Sequence, residues 1–116
     1  MAFESTPYPY RDLEFQVWKG FLKELKRADD PDLLTGIFKD LFENPLRGTV
    51  LAGGLRKARI GSRQKNEGKS GGYRYLYFLK TRDCIYLIAL LDKSDAVNFS
   101  GAFLDAVSAL IKREST

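Results

Sequence analysis

Residues 53–77, GGLRKARIGSRQKNEGKSGGYRYLY, decide how the rest of the chain folds around them. Across 55–60 a period of two places Lys57 and Arg59 on one face of a strand and Ala58 and Ile60 on the other. Ala58 and Ile60 suit a core, so Lys57 and Arg59 point away from it, towards a site. Residues 73–80 read as a second strand with Arg74 at its entrance. Between the two strands a loop over 61–72, rich in glycine and serine, carries Arg63, Lys65 and Lys69 and is expected to stay mobile until an anion binds.

The charge of the chain is local. Residues 56–82 hold nine Lys and Arg against one acid, Glu67, a net of +8, whereas 1–55 and 83–116 each sum to −2. The net +4 of the protein therefore comes from this window alone. So one-sided a field attracts polyanions at long range and weakens as salt rises. Tyr73, Tyr75 and Tyr77 follow the basic loop directly, in the pattern of rings that stack on unpaired bases while cations hold phosphates.

Composition excludes several classes. At 116 residues and 44% apolar the chain is sized for one globular domain. The longest apolar run, 85–91, is too short to cross a bilayer, and Glu4, Pro7, Pro9 and Asp12 stand where a signal peptide would be basic and then apolar. A cytoplasmic location is expected. There is no histidine, and Cys84 is the one cysteine, so the usual zinc ligand sets are missing and no cofactor or metal is expected. Any general acid or base must be Lys, Arg, Tyr, Asp or Glu.

Outward from the centre, Leu13, Phe15 and Val17 alternate with polar neighbours and read as a first strand, preceded by an extended arm over residues 1–12 that lies on the surface. Helical spacing of Trp18, Phe21, Leu22, Leu25 and Ala28 predicts a helix over 18–28. Asp30-Pro31 predicts a capped start to a second helix, ended by Asn44-Pro45, the two making an antiparallel hairpin joined at Asp29-Asp30. Residues 49–51 and 55–60 are strand, interrupted by a turn at Ala52-Gly53-Gly54. The unalternating run 85–91 is a central strand covered on both faces. Ser100 offers a cap to a last helix with Phe103, Leu104, Val107, Leu110 and Ile111 on its buried side. The order strand, two helices, three antiparallel strands, helix is an α+β sandwich.

With the elements in this order the residues resemble a known family. GGLRKARIG, the basic loop, GKSGGYRYLYF and IYLIALLDKSD are similar to the RelE/HigB toxins of bacterial type II toxin-antitoxin modules, over about residues 30–112. The resemblance implies a RelE/ParE-like α+β fold: a small antiparallel sheet, an N-terminal helical hairpin and a C-terminal helix. It implies a metal-independent endoribonuclease, an mRNA interferase that cuts messenger RNA in the ribosome and inhibits translation. The partners it implies are the ribosome, mRNA and a cognate antitoxin, a helix-turn-helix HigA-like protein, with no membrane. By position, Lys57 and Arg59 match two basic positions of the second strand, one of them acting in proton transfer. Arg74 matches a phosphate-clamping arginine, and Lys93 the lysine after the last strand. Lys65 and Lys69 fall in the family's variable basic loop, and with Arg56, Arg63 and Tyr73 they are the expected RNA or ribosome contacts. The chain departs from near relatives at Leu91-Asp92-Lys93-Ser94 and has no tyrosine after Tyr86, leaving Tyr73 as a substitute for the family's late tyrosine. The related ParE toxins share the fold and block DNA gyrase instead; a basic RNA-binding domain without catalysis is the other alternative.

Overall fold

The computed structural model describes residues 4–61, 72–92 and 98–114. Strand β1 (Ser5–Tyr10) turns through Arg11, at φ 58°, into β2 (Leu13–Trp18), and the two pair antiparallel. The surface arm expected at the N-terminus is therefore, over these residues, a strand of the sheet. Its tyrosines hold it there: Tyr8 and Tyr10 lie against Phe38, and Tyr10 also against Phe15.

Helix α1 (Lys19–Ala28) follows at once, with Phe21 buried and Leu22, Leu25 and Ala28 packed on the same cluster. It ends where Asp29 takes the left-handed conformation (φ 51°) and donates its N–H to the Leu25 carbonyl. Helix α2 (Leu33–Glu43) starts later than Asp30-Pro31 suggests. The Asp30 carboxylate accepts the Asp32 N–H (3.1 Å), which builds a turn ahead of the helix in place of a cap on it. Leu33, Ile37, Phe38 and Leu41 are the buried stripe of α2.

Strand β3 (Thr49–Val50) and β4 (Arg56–Ile60) pair antiparallel across the turn Ala52–Gly54. Gly53 and Gly54 have φ of 74° and 81°, a region open to glycine at no steric cost. Strands β5 (Tyr73–Thr81) and β6 (Cys84–Asp92) complete one sheet of order β1-β2-β6-β5-β4-β3. As its unbroken apolar run predicts, β6 is central, and it pairs with β2 on one side and β5 on the other. The expected all-antiparallel sheet is corrected here, because β2 and β6 run parallel. The chain leaves β2 through both helices and three strands before it returns, and so long a crossover permits parallel pairing.

Both faces of the sheet are covered. Phe15, Ile37, Tyr75, Tyr77 and Leu87 belong to the core under α1 and α2. Trp18, Leu55, Leu76, Tyr86 and Ile88 belong to a second core under α3 (Gly101–Glu114), which contributes Val107, Leu110 and Ile111. Helix α3 is capped as its sequence predicts: the Ser100 hydroxyl accepts the Phe103 N–H (3.2 Å), and Phe99 stacks on Phe103. No helix of the described residues is long and apolar enough to cross a membrane.

Candidate functional site

The site is built on β4, where one face serves two purposes in succession. Leu55 is fully buried beneath α3. Two and four residues later on the same face, Lys57 and Arg59 are half-buried and exposed, while Ala58 and Ile60 on the other face join the α1/α2 core. The register with β5 sets Arg59 directly opposite Arg74 and Lys57 opposite Leu76; in turn β6 sets Leu91 opposite Arg74. Lys57, Arg59 and Arg74 are thereby gathered on one patch at one end of the sheet.

A cleft of about 480 Å³ opens there, lined by these three cations with Arg47, Thr49, Ala58 and Asn98. Asn98 comes from the approach to α3, and its Oδ1 accepts a hydrogen bond from Lys57 Nζ at 2.6 Å. Because the capped start of α3 fixes the chain two residues later, Asn98 is held over β4 and steers the ammonium group without neutralising it. Arg47 comes from the segment after α2. That segment is tied down by Tyr77, whose hydroxyl donates to the Pro45 carbonyl (2.8 Å) and accepts the Gly48 N–H (3.0 Å). A Cβ on Gly48 would lie 2.9 Å from the Lys57 carbonyl and from the Tyr77 hydroxyl, so this close approach needs glycine. The Arg47 guanidinium is 3.5 Å from the Asp40 carboxylate.

Electrostatically the cleft is one-sided. None of its described lining residues is an acid, and among the described residues none of Lys57, Arg59 and Arg74 has a carboxylate partner. Like charges directly opposite on neighbouring strands repel, and an anion between them removes the repulsion. Two guanidinium groups suit the paired oxygens of a phosphate, and an ammonium group adds a movable third donor.

Other sequence-predicted residues lie elsewhere. Tyr73 is 4% exposed and packed in the α1/α2 core, on the face away from Arg74, so the stacking role assigned to it does not fit. Tyr75 and Tyr77 are buried beside it. Burial drives the phenols of both upward from their usual range, Tyr75 far upward; among the described residues the Tyr75 hydroxyl has no hydrogen-bond partner. Arg56 does not line the cleft: its guanidinium donates to the carbonyls of Leu46 (3.1 Å) and Gly48 (3.0 Å) and braces the segment that carries Arg47. By register Asp92 stands opposite Tyr73, on the face away from Arg74. Arg63, Lys65, Lys69 and Lys93 lie outside the described residues.

Sequence reasoning missed Arg47 and Asn98. Asn98 carried a faint signal, since it stands two residues before the Ser100 cap; Arg47 carried none. The chain matches no model of a protein family, and no curated protein matches it.

Proposed function

We propose that the protein is a metal-independent endoribonuclease acting on mRNA in the ribosome, the toxin of a toxin-antitoxin module. The observation that carries the reading is the cleft, without an acid among its described lining residues, in which Arg59 faces Arg74 with Lys57 on the same side. The resemblance of 53–80 and 85–95 to RelE/HigB toxins supplies the substrate and partners.

The reaction such a cleft favours is attack of a ribose 2′-oxygen on the adjacent phosphorus. The 2′ O–P bond forms, the bond to the 5′ oxygen breaks, and the products are a 2′,3′-cyclic phosphate and a 5′-hydroxyl. The phosphorane between them carries a second negative charge, which Arg59 and Arg74 stabilise through its non-bridging oxygens. Lys57, steered by Asn98, hands a proton to the departing 5′ oxygen. The 2′-hydroxyl proton leaves to solvent. A cognate antitoxin would silence the protein by covering this cleft.

A second reading is favoured by one observation. The described lining holds only Arg, Lys, Thr, Ala and Asn, none of which is a strong base at neutral pH. A cleft that binds RNA without cutting it would look the same.

Incubation of the purified protein with translating ribosomes, followed by mapping of new message ends, separates the two. Cleavage that leaves cyclic phosphate ends and disappears with Arg74→Ala is expected. Intact message in the presence of tight, salt-sensitive RNA binding selects the second reading. DNA damage signalling with translation unimpaired selects gyrase inhibition.

A further inference from the structure

The cleft has two unlike sides. On β4 and β5 stand Lys57, Arg59 and Arg74, none with a carboxylate partner among the described residues. Arg47 lines the cleft from the other side, just before β3, which pairs with β4 on the flank away from β5. Its Nη1 lies 3.5 Å from the Asp40 carboxylate, and both side chains are 21% exposed. Among the described residues no second acceptor meets the Arg47 guanidinium.

The backbone around Arg47 is braced from the sheet. Tyr77 holds the Pro45 carbonyl and the Gly48 N–H, and Arg56 holds the carbonyls of Leu46 and Gly48. Each of these bonds lands within residues 45–48, so the direction in which Arg47 leaves the chain is set by β4 and β5. Asp40 then sets the plane of its guanidinium.

Asp40 also limits what Arg47 can hold. A carboxylate at this range offsets much of the guanidinium charge and repels a phosphate brought to it. The planar fork of N–H donors survives, and it suits a neutral partner with two acceptors side by side. Single-stranded RNA offers its base edges to such groups. Guanine presents O6 and N7 together, the pair that arginine takes most often, whereas adenine sets an amino group beside N7. Uracil has a donor between its two carbonyls. Cytosine has N3 and O2 adjacent, but O2 lies against the ribose, where the fork is crowded.

We infer that Arg47, oriented by Asp40 and positioned by Tyr77, reads a guanine base next to the phosphate held by Lys57, Arg59 and Arg74. That the ligand is single-stranded RNA rests on the reading of the cleft given above.

The test is titration of the full chain with 2′-deoxy trinucleotides, which cannot be cut. One carries uracil throughout; in the others guanine, adenine or cytosine replaces uracil at each position in turn. Guanine at one position should raise affinity about tenfold over uracil there. Arg47→Lys keeps the charge and loses the fork, so it should bring that ratio close to one and leave the salt slope of the all-uracil trinucleotide unchanged. Tyr77→Phe, with melting as the check on its fold, should lower the ratio about threefold. Arg74→Ala should weaken every trinucleotide and keep the ratio. Equal affinity for all bases at every position would overturn the inference, as would preference for adenine or cytosine, or a guanine ratio that survives Arg47→Lys. A ratio unmoved in folded Tyr77→Phe would remove Tyr77 from it. Salt-sensitive binding without base preference sinks this inference and leaves the cleft reading standing, whereas failure to bind any trinucleotide sinks both.

Discussion

Arg59 and Arg74 repel across adjacent strands, and any anion they share must be worth more than that repulsion costs. Replacing Arg74 by Ala should therefore leave thermal stability unchanged or raise it by up to about 1 kcal/mol, while single-stranded RNA affinity falls tenfold or more; melting and titration on one preparation would check both. Asn98 sharpens the argument, because it touches Lys57 without cancelling its charge. Asn98→Asp keeps an acceptor in place but adds a negative charge, so it should weaken RNA binding more than Asn98→Ala does. Tyr75 supplies a pH prediction. Its phenol ionises in the unfolded chain near 10.0 but far higher in the folded protein, because burial opposes the charged form. The folded state thus keeps its proton longer, and stability present below that value is lost as pH rises above it. Tyr75→Phe removes a buried hydroxyl that has no hydrogen-bond partner among the described residues, so it should stabilise the fold by about 1 kcal/mol at neutral pH and flatten the alkaline loss in urea titrations.

At the scale of elements, the two edges of the sheet are treated differently. The Glu4 carbonyl accepts the Lys19 N–H, so in β1 the even-numbered residues face β2 and Pro7 and Pro9 face outward. Proline there removes two donors from the open edge and blocks strand addition. Changing both to Thr should produce self-association that grows with protein concentration in sedimentation runs. Strand β4 was legible from its sequence because two faces with opposite fates give a clean alternation. The alternation of β5 was equally clear, and it should have separated Tyr73 from Arg74: neighbours on a strand point to opposite faces, so both cannot serve one site. The parallel pairing of β2 with β6 left no local trace, since an apolar strand reads alike in either direction. Strand β1 was hidden by its own prolines, which argue against a strand unless the strand is an edge. Asp30 misled for a related reason, because Asx turns and helix caps use the same residue types.

Over the whole molecule, Lys57, Arg59 and Arg74 gather with Arg47 in one confined cluster at one end of the sheet. It was legible because three of its members lie within one segment of eighteen positions. Arg47 and Asn98 join it from 10 residues before Lys57 and 41 residues after it, and only the folded sheet brings them to the same cleft. The claim on which the function rests is that Lys57, Arg59 and Arg74 share a single RNA phosphate. A crystal structure with a 2′-deoxy trinucleotide, which cannot be cut, tests this most directly. One phosphate should sit within hydrogen-bond distance of all three side chains, with Asn98 still on Lys57. A trinucleotide bound elsewhere, or phosphates taken one by one by separate cations, would contradict it.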